Sequence, residues 1–224
     1  MGKKIVYDIT PFTHLDYPGK LAAIAWFTGC NMRCMYCYNS DIVFSKEGIH
    51  TVEDLLRFMG KRVGLLDGIV LSGGEPTLHD LEPICRQIKE MGFLIKLDTN
   101  GLKPEQIKSL VQKDLIDYIA LDYKAERAKF GYITGSSQYL RFIETLDFLI
   151  ARQFDFEVRT TVHADLLNAD DINRMMHELK NRGYNKTYYL QTFVETPNNI
   201  ANIKHPSKDF AKQALRDTLP IVWR

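Results

Sequence analysis

Short apolar runs bounded by turn residues recur along the chain, and between them stand stretches with apolar residues every three or four positions. That alternation predicts parallel strands joined by crossover helices. The strands fall at residues 21–27, 68–72, 93–97, 118–122, 156–162 and 187–191. Helices begin near Thr51, Asp80, Pro104, Gln138 and Asn168, where a capping side chain or a proline in the first turn marks an N-terminus. The tail at residues 207–219 offers a further helix. Six such units are too few for a closed eight-stranded barrel, and the pattern suits either an open doubly wound α/β sheet or a partial barrel. Both architectures place ligands at the C-terminal ends of the strands, so the loops after each strand are where chemistry is sought.

Composition narrows the picture. With 224 residues, 45% of them hydrophobic, the chain can bury one substantial core, and a single domain over residues 1–224 is expected. Twenty-nine basic against 28 acidic residues leave a formal net charge of +1, which gives no global attraction to nucleic acid or an anionic membrane. No apolar run reaches a membrane span, and an acid at Asp8 is early for a signal peptide, so a cytoplasmic protein is expected. Three of the four cysteines crowd into eight positions. That is poor material for a disulfide framework but suits thiolates gathered on a metal.

Those three, Cys30, Cys34 and Cys37, form a CxxxCxxC loop after the first strand. Three sulfurs from one loop can hold one small iron-sulfur core. The fourth cysteine, Cys85, lies in a helical stretch where a small buried hydrophobe is its ordinary role. An iron without a protein ligand then stays open to an external group. A zinc site completed by a histidine is the bland alternative, but no histidine pair has the spacing. The second strand ends in Gly73, Gly74 and Glu75, paired glycines that let backbone approach a ligand and an acid that can accept from an ammonium group. The next rims carry Asp98, Thr99 and Asn100, then Asp122 and Lys124; capping and turn formation are the competing roles there. Arg159 follows apolar Val158 on the fifth strand, where a charge is either ion-paired or binds a carboxylate.

Together these residues resemble the radical S-adenosylmethionine superfamily, and within it the activating enzymes of glycyl radical enzymes. The resemblance spans most of the chain: Thr10 to Phe12, Asp16 to Lys20, the cysteine loop with Tyr36 before its last cysteine, Ser72 to Pro76, Asp98 to Gly101, Leu121 to Lys124, Thr134 with Gly135, and Leu190 to Phe193. It is nearest to the branch that activates anaerobic ribonucleoside-triphosphate reductase.

The resemblance implies a partial (β/α)6 barrel, a 4Fe-4S cluster on Cys30, Cys34 and Cys37, and S-adenosyl-L-methionine chelated by the open iron. It implies that Gly73, Gly74 and Glu75 hold the methionyl amine, that Asp122 and Lys124 contact ribose or carboxylate, that Arg159 faces the carboxylate and that Tyr36 offers backbone contacts to adenine. In the related pyruvate formate-lyase activating enzymes, residues at the positions of Asp98 and Thr99 help bind a monovalent cation, so a cation site is implied there. Ala120 replaces a methionine of that branch, but that partner acts through its backbone carbonyl, so the implied cation site survives; a histidine expected near residues 191–194 is missing. The implied partners are a glycyl radical enzyme and a flavodoxin or ferredoxin as electron donor.

Two rivals differ in class. A radical enzyme acting on a small molecule, such as a carboxy-deazaguanine synthase, leaves Asp16 to Gly19 unexplained. An electron-carrying iron-sulfur or zinc protein leaves Glu75, Asp122, Lys124 and Arg159 without a role.

Overall fold

All six runs expected to be strands are strands in a computed structural model, which describes residues 2–224. They are β2 (Ala22–Phe27), β3 (Gly68–Gly73), β4 (Leu94–Thr99), β5 (Tyr118–Asp122), β6 (Phe156–Val162) and β7 (Tyr188–Thr192). Two strands were not expected: β1 (Val6–Thr13) and β8 (Ile221–Trp223). The strands follow one another in chain order across an eight-stranded open sheet. β1 pairs antiparallel with β2, while β2 to β4 and β6 to β8 run parallel. The fold class is α/β, with the sequential strand order of a partial barrel.

The helices are α1 (Ser40–Phe44), α2 (Val52–Gly60), α3 (Glu82–Glu90), α4 (Pro104–Gln112), α5 (Arg127–Thr134), α6 (Tyr139–Ala151) and α7 (Ala169–Asn181). Thr51 and Asn168 cap α2 and α7 with reciprocal capping boxes to Asp54 and Asp171, so local chemistry sets where these helices start. The helix expected over the tail does not form. Residues 207–219 hold only a 3-10 turn at Lys212–Ala214 among mostly exposed residues. With no continuous apolar face to bury, a helix there would gain nothing from packing.

Contacts group the chain into two compact units. The first comprises Met1–Asn31, Asp41–Thr99 and Lys103–Ala120. In it Tyr17, Ala22, Ile24 and Val70 form a buried cluster, with Trp26, Leu94 and Tyr118 packed against it. Tyr17 meets residues at the starts of β2, β4 and β5. The preceding Asp16 accepts from the Thr13 hydroxyl, and Gly19 takes a left-handed φ of 67°. Asp16 to Gly19 is therefore a turn that seats Tyr17 against the first unit's cluster, beside Ala22, Leu94 and Tyr118 at the N-terminal ends of their strands.

The second unit comprises Met32–Ser40, Asn100–Leu102 and Leu121–Arg224. Its core stacks Tyr123 on Phe142, ring centroids 4.7 Å apart, and both Tyr123 and Tyr139 donate to Glu178 Oε2 at 2.5 Å. β8 closes the edge of β7, and Arg224 clasps the buried Glu157 carboxylate through two bonds of 2.9 and 3.0 Å.

Candidate functional site

In the first unit the rim after β3 is zipped to the segment that leads into Cys30. Gly74 N donates to Phe27 O at 2.9 Å and Glu75 N to Gly29 O at 2.8 Å. A Cβ on Gly74 would lie 1.8 Å from Gly29 O, and Gly73 has φ of 117° with a Cβ 2.4 Å from Phe27 N. The two glycines are thus required by backbone meeting backbone. His79 secures the same segment: its Nε2 lies 2.8 Å from Thr28 O, and burial pushes its pKa below the ordinary histidine value despite that bond.

Glu75 is almost fully buried, and its Oε1 accepts from Thr77 N, Thr77 Oγ1 and Thr99 Oγ1 at 3.2, 2.6 and 2.7 Å. On β4, Lys96 and Asp98 point to one side of the strand. The Lys96 ammonium donates to one oxygen of Asp98, and Ser72 Oγ donates to the other at 3.1 Å.

In the second unit Asp122, Lys124 and Arg159 are brought together. Arg159 Nε lies 2.5 Å from Asp122 Oδ1, and Lys124 Nζ lies 3.0 Å from Oδ2. Burial alone would raise the Asp122 carboxyl, but Arg159 and Lys124 outweigh it and hold it at about 2. Burial likewise opposes the Lys124 charge, and Asp122 overcomes it, raising Lys124 well above the usual lysine value. Tyr36 is buried, which pushes its phenol up, and its hydroxyl reaches Lys124 O at 3.5 Å. The result is a carboxylate with two cations at the rim, able to offer charge of either sign to a zwitterion.

Cys34 and Cys37 also belong to this unit, and Cys30 belongs to the first. The stretch around them is pinned by backbone bonds: Arg33 N to Thr134 O at 2.7 Å, Met35 N to Ile133 O at 2.9 Å and Ile200 N to Cys37 O at 3.1 Å. Gly135, at φ 66°, ends α5 with room for the backbone of Arg33, which explains the Thr134 and Gly135 pair structurally. All four cysteines are thiols. Cys85 is fully buried in α3, which pushes its thiol up to about 12, so it supplies no thiolate at neutral pH. Among the described residues no three of His, Cys, Asp and Glu form a cage for a single metal ion. A 4Fe-4S cluster spreads its irons apart and asks for separated thiolates instead, and three thiols in one short loop suit it.

Sequence reasoning missed several residues. His79 and Gln106, which donates to His79 O at 2.8 Å, carry no motif. The segment at Ile200 and Ala201 that braces the cysteine loop lies in an irregular stretch without pattern. Lys96 was detectable, because a lysine inside the apolar run Leu94 to Leu97 has to find a counter-charge.

Comparison with known proteins gives the family. The family model described as the Radical SAM superfamily matches residues 24–179. A protein of Methanocaldococcus jannaschii named as a glycyl-radical enzyme activating enzyme is 34% identical over 185 residues, covering 80% of this chain and 76% of its own. A second protein of that organism with the same kind of name is 26% identical over 212 residues, covering 92% and 79%. Streptococcus suis SuiB bound to S-adenosylmethionine shares the fold with a TM-score of 0.67 at 13% identity; the match covers 88% of this chain and 48% of SuiB, so the chain spans about half the length of that structure. This chain therefore belongs to the radical SAM superfamily, enzymes whose cofactors are a 4Fe-4S cluster and S-adenosyl-L-methionine.

Proposed function

We propose that this chain is an activating enzyme that installs a glycyl radical on a partner, and that the partner is an anaerobic ribonucleoside-triphosphate reductase. The observation that carries the activase reading is the 34% identical relative named for that activity, which matches over four-fifths of the chain. The reductase as target rests on the motif resemblance. One electron, one S-adenosyl-L-methionine and one glycine of the partner give methionine, 5'-deoxyadenosine and a glycyl radical, with the bound cofactors supplying the radical chemistry.

The chain's own residues bind, orient and shield. Cys30, Cys34 and Cys37 hold the cluster and leave one iron to the cosubstrate. Gly73, Gly74 and Glu75 take the methionyl amine: the glycines bring backbone close, and the Glu75 carboxylate, already gathered by Thr77 and Thr99, supplies the negative charge. Lys124 and Arg159 face the carboxylate and ribose of the cosubstrate, with Asp122 fixing both cations. The Tyr36 backbone meets adenine. A flavodoxin or ferredoxin supplies the electron in the cytoplasm.

The test is anaerobic reconstitution with iron and sulfide, reduction with dithionite, and assay of S-adenosylmethionine cleavage with and without the reductase. Cleavage together with a glycyl doublet in the reductase's electron paramagnetic resonance spectrum is the expected result. Cleavage that leaves the reductase silent would turn the search toward another glycyl radical enzyme or a small-molecule substrate.

A further inference from the structure

We propose that the Lys96 ammonium is a built-in substitute for a monovalent cation: it neutralises Asp98 from within the chain, so that no sodium or potassium ion is taken up at Asp98 and Thr99. The side chain of Lys96 is 2% exposed and that of Asp98 12%, so the pair is sheltered from solvent. A buried ammonium persists only against a counter-charge, and Asp98, two residues along the same face of β4, supplies it.

Both residues of the implied cation site are engaged by other groups. One Asp98 oxygen accepts from Lys96, the other from Ser72 Oγ at 3.1 Å, while the Thr99 hydroxyl donates to Glu75 at 2.7 Å. A metal ion at this carboxylate would carry the same charge as the ammonium, a few ångströms away in a poorly screened interior, where two like charges repel strongly. The ammonium is also tethered, so its occupancy does not depend on the salt in solution.

Thallous ion is the probe, titrated into the purified protein in tetramethylammonium buffer and followed by calorimetry and thallium-205 resonance. The wild type is expected to show no saturable binding, and the same Tm in potassium, sodium and tetramethylammonium salts at equal ionic strength. Saturable binding by the wild type that disappears in Asp98→Asn would overturn the proposal. Lys96→Ala is expected to gain a thallous site and an affinity for S-adenosylmethionine that rises on the order of tenfold with potassium, a typical coupling between two ligands. A folded Lys96→Ala protein with neither property would also overturn it; should that variant not fold, the wild-type titration decides alone.

Discussion

Asp122 shows how single residues divide the work at the rim. Its carboxyl is held at about 2 against an ordinary 3.8, a gap worth about 2 kcal/mol. Because the folded value is the lower one, this stability is present in full above the unfolded value and is lost as pH falls toward 2. Urea melts between pH 7 and pH 2.5 are therefore expected to show a decline below about pH 5 that is smaller in Asp122→Asn by about 2 kcal/mol. An equal decline in both proteins would mean that the charge triad does not persist in solution. Gly74 is a different case, since its constraint is steric. Gly74→Ala puts a methyl against Gly29 O and is expected to cost about 1–3 kcal/mol, read from denaturant midpoints, and to lower cluster yield by displacing the chain before Cys30. Gly19→Ala, open in space at φ 67°, is the control, costing about 1–2 kcal/mol from backbone strain while leaving iron content intact.

Secondary-structure elements were legible where side chains repeat with one period and were missed where they do not. β3, with the buried run Gly68 to Leu71, and α7, with its Asn168 cap, follow from pattern and capping chemistry. β1 buries only Val6 and Thr13 of its eight residues and contains Pro11, so an edge strand with little apolar alternation gave no signal. α5 carries Gly131 and two β-branched residues in eight positions, and its role in bracing Arg33 and Met35 decides its conformation more than propensity does. Element-scale predictions separate stability from chemistry. Asn168→Ala removes the bond to Asp171 N and is expected to lower stability by about 1 kcal/mol without changing S-adenosylmethionine cleavage per cluster. A loss of cleavage at unchanged iron content would tie the α7 cap to the site and refute that separation.

At the scale of the whole molecule, the sequential order of strands explains why so much of the candidate site could be read in advance. Each rim motif stands at the C-terminal end of its own strand, so Glu75, Asp98 and Asp122 fall at successive strand ends without knowledge of the tertiary packing. What could not be read were contacts made across long stretches of chain, such as Ile200 to Cys37 and Gln106 to His79, which depend on loop paths that no local pattern encodes. The number of cluster ligands belongs to this scale as well, because only the whole chain shows whether a fourth thiolate is within reach. Cys85 is sealed in α3, and ionising its thiol would mean burying a charge that Asp117 opposes and Lys89 offsets only in part. Cys85→Ala is accordingly expected to reconstitute with the same iron and sulfide per chain as the wild type, losing at most about 1 kcal/mol of stability to the missing sulfur. Cys34→Ala is expected to lose the cluster and all S-adenosylmethionine cleavage. Iron analysis of the two variants side by side decides the ligand set: full iron in Cys34→Ala, or a collapse of iron in Cys85→Ala, would show that a different set of thiols holds the cluster.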